Sequence, residues 1–264
     1  MSIEENGVYK CPKYDLTGKV ALITGSTRGI GNATAECFAS AGASVAIAGT
    51  KPEVCARIQG EFEKKGYKCL GVAVNMSDTG SIDRLVNTVI GKYGHIDILV
   101  NNAGIGGKEA PILNTTPEEW DQTHDINLKG LYFCSKAVVA HMKARGAGGR
   151  IINMASAAGI IAPKYVSVYG SAKAAVIHLT KIMANEWARY NINVNAVAPG
   201  YIATDMTRDV MADEKNASAV MNKIGLRRFG DVNDVAGVAL FLATEASRYI
   251  TGALIPVDGG MTIS

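Results

Sequence analysis

The sequence predicts an α/β protein built on a doubly wound parallel sheet with helices on both faces. Short apolar runs bounded by turn residues alternate with amphipathic stretches, and several runs are apolar at consecutive positions. Such runs are typical of parallel strands that are covered on both faces. No break in composition marks a linker within the 264 residues, so we expect a single domain. The candidate strands are residues 19–24, 44–48, 67–74, 96–100, 150–155, 192–197 and 254–257.

Helical periodicity fills the intervals between these runs, and each apolar stripe is expected to pack on the sheet. The stripe after the first run is Ile30, Ala33, Cys37 and Ala41. The stripe after the third run is Ile82, Leu85, Val86, Val89 and Ile90. Residues 116–119 (TPEE) have the pattern of a capping box with proline at the first helical position, which predicts a long helix toward Met142. Another helix is predicted to begin near Asp231.

Composition and charge exclude several classes of protein. Apolar residues make up 48% of the chain and charged residues 19%, which allows a large core and excludes a disordered chain. The net charge of +3 is too small to predict a nucleic acid or an anionic membrane as partner. The longest uncharged stretches, such as residues 151–163, are too short to span a membrane. Residues 1–15 are polar and acidic, so we expect an N-terminal extension without a secretory signal and a cytoplasmic protein.

The cysteines and histidines do not form the patterns of disulfide frameworks or metal sites. The cysteines are odd in number and include no C-x-x-C pair, so we expect free thiols at Cys11, Cys37, Cys55, Cys69 and Cys134. The histidines lack the spacing of metal ligands; they are His95, His124, His141 and His178. The sequence therefore predicts no metal site.

A glycine-rich turn, GSTRGIG at residues 25–31, follows the first predicted strand. Glycine lets the chain turn sharply, and it lets a phosphate approach the backbone N–H groups at a helix amino end, where the helix dipole favours negative charge. The position between an apolar strand and an amphipathic helix therefore predicts binding of a dinucleotide. The spacing is G-x-x-x-G-x-G instead of the commoner G-x-G-x-x-G, which indicates a particular family.

Further motifs identify that family. Residues 24–31 are TGSTRGIG, residues 101–104 are NNAG, residues 169–173 are YGSAK and residues 199–204 are PGYIAT. Ser156 precedes the tyrosine by 13 residues, and Asn127 lies in a predicted helix. In this order and at these spacings the motifs resemble those of the short-chain dehydrogenase/reductase family over residues 16–260. The resemblance implies one Rossmann-type domain over residues 16–264 and hydride transfer between a nicotinamide and a ketone or secondary alcohol.

The expected chemistry centres on Tyr169 and Lys173, which lie four residues apart and share one helix face. A nearby ammonium favours the phenolate, so we expect Lys173 to lower the pKa of Tyr169. By resemblance, Tyr169 exchanges a proton with the substrate oxygen, Ser156 steadies that oxygen, and Asn127 holds a water that connects Lys173 to solvent. An isolated Y-x-x-x-K pattern would favour a packed tyrosine and a solvated lysine, but Ser156 and Asn127 argue against that interpretation.

The end of the second predicted strand bears on the choice of dinucleotide. NAD enzymes usually carry an acid there for the ribose 2′-hydroxyl, whereas this chain has Gly49, Thr50 and Lys51. Lys51 and Arg28 would place positive charge near a 2′-phosphate, so we expect NADP(H), with NAD(H) as the alternative. Asn75 and Met76 stand where the family often carries Asp-Val near the adenine. The other residues that the resemblance assigns to the cofactor are Gly25, Thr27, Gly29, Ile30, Gly31, Asn102, Ala103, Gly104, Tyr169, Lys173, Pro199, Gly200, Ile202 and Thr204.

Substrate contacts are expected from residues 106–111, 157–166 and 205–228, the last being a predicted lid. Residues 183–204 resemble bacterial sugar-acid ketoreductases of the 2-deoxygluconate and gluconate 5-dehydrogenase types and, more loosely, 3-oxoacyl carrier-protein reductases. We expect a sugar acid, a ketose or a polyol as substrate. A 3-oxoacyl carrier-protein substrate, and a cyclic ketone or hydroxysteroid, are the alternatives.

Three features complicate the choice of substrate. Lys108 only partly replaces an arginine that both groups often carry after NNAG. Ala140 stands where carrier-protein reductases tend to have a basic residue. The third feature is a group of apolar residues in the expected substrate segments. They form either a pocket for an uncharged substrate or the core of the lid, and they are Ile160, Ile161, Pro163, Val166 and Met206.

Two further expectations concern the class of function and the assembly. A catalytically silent dinucleotide sensor is the alternative class, because a fold alone does not prove a function. A sensor would have no chemical need for Asn127, Ser156, Tyr169 and Lys173 together. The resemblance also implies a homotetramer built through the helices around residues 120–142 and 169–189 and through the C-terminal segment.

Overall fold

A computed structural model describes residues 13–263 of the chain. Within this range seven parallel strands form one sheet in the order β3-β2-β1-β4-β5-β6-β7. Each predicted strand is present, with ends that differ by a few residues. The strands are β1 (Val20–Thr24), β2 (Ser44–Gly49), β3 (Cys69–Ala73), β4 (Ile98–Asn101), β5 (Gly149–Met154), β6 (Ile192–Pro199) and β7 (Leu254–Val257).

Helices connect the strands and cover both faces of the sheet. They are α1 (Gly29–Ser40), α2 (Pro52–Lys64), α3 (Thr79–Tyr93), α4 (Pro117–His124), α5 (Leu131–Arg145), α6 (Ser167–Trp187), α7 (Arg208–Ala212), α8 (Glu214–Met221) and α9 (Val232–Ala243). Thr116 and Glu119 form the predicted capping box before α4, and Asp231 caps α9. The long helix predicted toward Met142 is not continuous, because a π-helical segment, Asp125–Gly130, separates α4 from α5.

Alternate residues of each central strand enter two separate cores. In β1, Val20 and Leu22 pack in the core that includes residues of α3, α5 and α6. Ala21 and Ile23 point the other way, into the core that includes residues of α1, α2 and α9. Both faces of the sheet are covered, which accounts for the continuous apolar runs seen in the sequence.

The stripe predicted on α1 was wrong by one position, whereas that on α3 is confirmed. Ile30, Ala33, Cys37 and Ala41 are only partly buried, and the buried residues of α1 are Gly31, Thr34, Ala35, Phe38 and Ala39. Because α1 packs on α9 as well as on the sheet, the face turned inward lies between the two neighbours. On α3, Ile82, Leu85, Val86 and Val89 are buried and Ile90 is partly buried.

The described residues also bear on the expectations for the termini, the cysteines and metals. Leu16 is 1% exposed, so packing of the domain already begins at that residue. Cys37, Cys55, Cys69 and Cys134 are free, and Cys11 lies outside the described residues. Over residues 13–263 the structure holds neither a helix suited to crossing a membrane nor a cluster of three or more His, Cys, Asp or Glu side chains that could hold a metal.

The strand order places a topological switch between β1 and β4. The chain moves outward from β1 through β2 to β3 and then returns to pair β4 with the other side of β1. Leu22 of β1 therefore lies opposite Ala46 of β2 on one side and Leu99 of β4 on the other. The connections after β1 and β4 therefore diverge and leave a crevice beyond the carboxyl ends of these strands.

Candidate active site

Thr24 and Asn102 join the two strands that border the crevice. The buried hydroxyl of Thr24 accepts hydrogen bonds from the backbone N–H groups of Asn102 and Ala103, both at 3.1 Å. The side-chain amide of Asn102 donates to the carbonyl oxygens of Thr24 and Gly25, at 3.0 and 2.9 Å. These bonds hold the NNAG segment against the beginning of the glycine turn.

The glycine turn leaves the amino end of α1 open. No side chain caps this helix and no acid lies in its first turn, two features that α5 and α6 share. A Cβ on Gly31 would collide with the carbonyl oxygen of Gly25 and with the amide of Asn102, so this close approach requires glycine. The free N–H groups and the helix dipole suit a phosphate. The residues present therefore fit a dinucleotide pyrophosphate.

Tyr169 and Lys173 lie one turn apart on α6, as predicted. The Nζ atom of Lys173 lies 5.7 Å from the centre of the Tyr169 ring. It donates a hydrogen bond of 2.7 Å to the carbonyl oxygen of Met154, the last residue of β5. The pair thus lies at the carboxyl end of the sheet, at the same edge as the glycine turn.

The pKa of Tyr169 is raised above its usual value because the phenol is buried, and the hydrogen bond with Ser156 offsets this only in part. The expectation that Lys173 lowers this pKa was wrong for the described structure. The reason is geometric, since the ammonium donates to Met154 and not to the phenol. Ser156 also accepts a hydrogen bond from the N–H of Ala158 at 3.1 Å. Because burial raises its pKa, the phenol of Tyr169 is protonated at neutral pH.

Lys173 is a buried cation without a carboxylate partner among the contacts that the structure describes. Its side chain is 4% exposed, and burial lowers its pKa from 10.5 to about 8. A lysine that is buried in this way costs free energy of folding as long as it is charged. Its position is therefore better explained by chemistry than by stability.

Asn127 lies in the π segment between α4 and α5 and is 1% exposed. Its Oδ1 accepts from the N–H of Ile105 and its Nδ2 donates to the carbonyl oxygen of Ile105, both at 2.8 Å. A Cβ on Gly104 would lie 3.1 Å from Asn127 Oδ1 and 3.6 Å from Lys173 Nζ. Asn127 and Lys173 therefore border the same small space beside Gly104. The amide retains one donor and one acceptor position for a water there.

The residues expected to select the dinucleotide lie near the glycine turn but differ in their contacts. Thr50 and Lys51 are exposed at the end of β2, and Thr27 packs against Gly49. Arg28 is 78% exposed, and its Nη1 lies 3.2 Å from Oδ2 of Asp205. The charge of Arg28 is therefore balanced within the chain, which the sequence did not predict.

Three other residues expected to contact the cofactor are Asn75, Met76 and Ile202, and they differ in exposure. Asn75 is exposed, and its Oδ1 accepts hydrogen bonds from the backbone N–H and the hydroxyl of Ser77. Met76 and Ile202 are 6% and 3% exposed, so their side chains belong to the two cores. Only the backbones of Met76 and Ile202 are left to contact a cofactor.

The segment after β6 passes close to the glycine turn. Pro199 ends β6, and Gly200 donates a backbone hydrogen bond to Val257 at 3.0 Å. A Cβ on Gly29 would lie 3.6 Å from the methyl group of Thr204. The PGYIAT motif therefore meets the amino end of α1.

The expected substrate segments meet at the same edge of the sheet. The N–H of Ala110 donates to the carbonyl oxygen of Tyr165 at 2.9 Å, which joins two of these segments. Lys108 lies 3.4 Å from Glu119, so its charge is engaged by the capping residue of α4. Of the apolar residues expected there, Ile160 and Met206 are exposed and Ile161, Pro163 and Val166 are partly buried, so the interpretation as a buried lid core was wrong.

A buried polar network beneath the site escaped the sequence analysis. The amide of Asn101 donates to the hydroxyl of Ser135 at 2.8 Å and to Oδ1 of Asn153 at 2.9 Å. Asn153 donates in turn to the hydroxyl of Thr180 at 2.9 Å. The network joins β4, β5, α5 and α6. Its signal in the sequence was a polar residue inside an otherwise apolar strand, as in ILVN and RIINM.

A parallel sheet with this order, and a crevice at its switch point that is suited to a pyrophosphate, are features of Rossmann-type dinucleotide-binding proteins. The family profile described as Enoyl-(Acyl carrier protein) reductase matches residues 25–262. A 3-oxoacyl-[acyl-carrier-protein] reductase of Synechocystis sp. is 40% identical over 250 residues, which cover 94% of this chain and 98% of that protein.

Two further relatives carry sugar-acid names. The 2-dehydro-3-deoxy-D-gluconate 5-dehydrogenase of Escherichia coli is 38% identical over 247 residues, covering 94% of this chain and 96% of that protein. A crystal structure of a gluconate 5-dehydrogenase from Burkholderia cenocepacia, in complex with NADP and tartrate, superposes with a TM-score of 0.92 at 36% identity. That alignment covers 96% of this chain and 98% of the other. The chain belongs to the short-chain dehydrogenase/reductase family and is an oxidoreductase that acts on CH–OH groups with a nicotinamide cofactor.

Replacing Lys173 tests how much free energy of folding the burial of its charge costs. We expect Lys173→Met to abolish turnover and to raise the free energy of unfolding at pH 7 by about 1–2 kcal/mol. A pKa lowered from 10.5 to about 8 corresponds to roughly 3 kcal/mol, from which the lost hydrogen bond to Met154 subtracts about 1. Because the folded pKa is the lower one, wild-type stability rises between pH 8 and 10.5 and the advantage of the variant shrinks.

Urea unfolding at several pH values measures the difference in stability between variant and wild type and its dependence on pH. Lys181→Met, on the exposed face of the same helix, is the matched control and is expected to change stability by less than about 0.5 kcal/mol. A Lys173→Met protein that is less stable than the wild type at pH 7 would contradict the assigned cost of burial.

Proposed function

We propose that the protein is an NADP(H)-dependent ketone reductase or secondary-alcohol dehydrogenase in which Tyr169 exchanges the proton. The observation that carries the proposal is the meeting of Tyr169, Ser156, Lys173 and Asn127 at the carboxyl edge of the sheet, beside a glycine turn that fits a pyrophosphate. A bound nicotinamide would supply or accept the hydride. The chain itself must then manage the proton on the substrate oxygen.

The phenol of Tyr169 suits the donor role in reduction. Burial keeps the phenol protonated at neutral pH, and Ser156 lies within hydrogen-bonding reach of the phenolic oxygen. When hydride reaches a carbonyl carbon, negative charge develops on the carbonyl oxygen, which takes the proton of Tyr169 while Ser156 steadies it. The ammonium of Lys173 lies 5.7 Å from the ring centre and donates to Met154, so it would have to turn toward the phenolate to stabilise it.

Asn127 has a positioning role and a relay role in this proposal. Its two bonds to Ile105 fix the segment that follows β4. A water held between Asn127 and Lys173, in the space beside Gly104, would return a proton from solvent after each turnover. In alcohol oxidation the same path would carry the proton outward.

We assign NADP(H) as the preferred cofactor because the end of β2 lacks a carboxylate. Thr50 and Lys51 occupy this place and are exposed. The Burkholderia cenocepacia relative was crystallised with NADP, which agrees with this choice. Arg28 of the glycine turn would supply a second positive charge, although Asp205 balances it in the described structure.

A sugar acid, ketose or polyol is the proposed substrate class, supported by the relatives named for gluconates. Lys108 is engaged by Glu119, which favours the uncharged members of that class over the acids. A second candidate, a 3-oxoacyl thioester, is favoured by the exposed apolar side chains of Ile160 and Met206, since such surface suits an acyl chain. Cyclic and steroid ketones would use the same surface. NADPH oxidation rates with ketoses, ketogluconates, 3-oxoacyl thioesters, cyclic ketones and oxo-steroids decide among them.

We propose that residues 205–228 close over the bound substrate. The two short helices of this segment, α7 and α8, follow the PGYIAT motif directly. Met206 lies above the substrate segment, since a Cβ on Gly106 would be 3.7 Å from its sulfur. Closure of such a segment would exclude water from the reacting atoms.

A single substitution tests the proton donor. We expect Tyr169→Phe to lower turnover at least about 1,000-fold, because no other group replaces the phenolic proton, while NADPH binding stays within about threefold. Steady-state rates and fluorescence titration with NADPH measure the two effects. Tyr249→Phe, at a fully exposed tyrosine, is the control. Undiminished turnover in Tyr169→Phe would contradict the assigned role, and a wild type that binds dinucleotide without any turnover would support the sensor.

The cofactor assignment predicts the effect of reversing one charge. Lys51→Asp should weaken NADPH binding about tenfold and strengthen NADH binding, because a carboxylate repels a 2′-phosphate and accepts a ribose hydroxyl. Dissociation constants from fluorescence titration measure the shift. Lys68→Asp makes the same charge change at an exposed lysine before β3, near the amino ends of the strands. This control should leave the ratio of the NADPH and NADH dissociation constants unchanged. An NADPH preference that survives Lys51→Asp would remove Lys51 from the 2′-phosphate site.

The assembly proposed from the resemblance is a homotetramer. Tyr132 and Ile182 are 44% and 43% exposed, and they border an apolar groove of about 570 Å³ between the outer faces of α5 and α6. Burial of such surface against a second copy would remove it from water. Light scattering is expected to give four times the mass of the chain. A monomer mass that does not change with concentration would exclude the assembly.

A further inference from the structure

The glycine turn and the segment after β6 are joined by an ion pair that spans 177 positions of the sequence. Nη1 of Arg28 lies 3.2 Å from Oδ2 of Asp205. The preceding residue, Thr204, places its methyl group beside Gly29. The carboxylate of Asp205 is therefore held next to the amino end of α1.

This end of α1 is suited to an anion, and Asp205 is the anion that the chain supplies. The helix has no side-chain cap and no acid in its first turn, and Arg28 stands at its N-cap position. A carboxylate near such a terminus is favoured by the helix dipole and by the guanidinium together. The phosphates of a bound dinucleotide need the same features of the chain.

We infer that Asp205 competes with a phosphate of the dinucleotide for Arg28 and so acts as a specificity-determining residue. The inference rests on the proposed dinucleotide-binding function. The side chain of Asp205 would have to give up Arg28 when the phosphate arrives, and it would then repel that phosphate if it stayed close. Asp205 therefore weakens binding of the dinucleotide whose phosphate reaches Arg28.

This exchange of partners costs little free energy, because the carboxylate of Asp205 also contacts a second cation. Its Oδ1 contacts Arg208 of α7, so the carboxylate keeps one partner after Arg28 turns away. The side chains of Arg28 and Asp205 are 78% and 43% exposed, and ion pairs with this exposure are weak and screened by salt. The contact can therefore break and reform during each binding event.

Asp205→Asn tests the competition directly. The variant should bind NADPH about twofold to fivefold more tightly, the range expected when one exposed ion pair is removed, as measured by fluorescence titration of the purified protein. If the competing group is the 2′-phosphate, NADH affinity will stay unchanged. If it is the pyrophosphate, NADPH and NADH will gain equally, and the assigned role in specificity is overturned. NADPH binding that is unchanged or weaker overturns the inference.

Two further variants separate competition from a general change of charge. Asp209→Asn removes an exposed acid from α7 and should leave both affinities within experimental error. In an Arg28→Gln background, Asp205→Asn should lose its effect, since the group competed for is absent. An equal gain in that background, or an equal gain from Asp209→Asn, would overturn the competition.

The control measurements keep this test apart from the test of the proposed function. Thermal unfolding should show that all variants are folded, because the substituted side chains are exposed. A wild type that binds neither NADPH nor NADH overturns the proposed function and this inference with it. A wild type that binds NADPH with the same affinity as Asp205→Asn overturns the inference alone.

Discussion

The hydrogen bonds between Thr24 and Asn102 determine where everything else in the site can lie. They connect the carboxyl ends of β1 and β4, the two strands at which the winding of the sheet reverses. The strands of the sheet form their own backbone ladders, and these side-chain contacts add a link between the two connections that diverge. The position of the glycine turn relative to the NNAG segment follows from these bonds, and with it the relation between dinucleotide and proton donor.

Lys173 is a buried group whose charge costs free energy of folding. Its environment is almost dry, and the contact that the structure gives its ammonium is a neutral carbonyl oxygen. Beneath the site, the polar network of Asn101 and Asn153 joins β4 and β5 to α6, the helix that carries Lys173. A rigid support of this kind is what keeps a partly desolvated amine near its ring partner.

The strands, most helix positions and the placement of Tyr169 and Lys173 one turn apart on a helix could be predicted because they follow local rules. Apolar runs, the capping box at Thr116 and the glycine turn each act within a few residues. The contacts of Arg28, Lys108 and Asn127 could not be predicted, since each partner is contributed by a distant or irregular segment. The raised pKa of Tyr169 was missed for the same reason, as the sequence shows a neighbouring charge but not the depth of burial.

The π segment at Asp125–Gly130 has a consequence for how this chain can vary. A π turn is equivalent to an α-helix that has gained one residue, so it rotates α4 against α5 by about 100°. Loss of any single residue from this stretch would restore a regular helix and swing the Asn127 amide away from Ile105. Insertions and deletions here should therefore be far rarer among functional variants than in the surrounding helices, although no turn or loop marks the place.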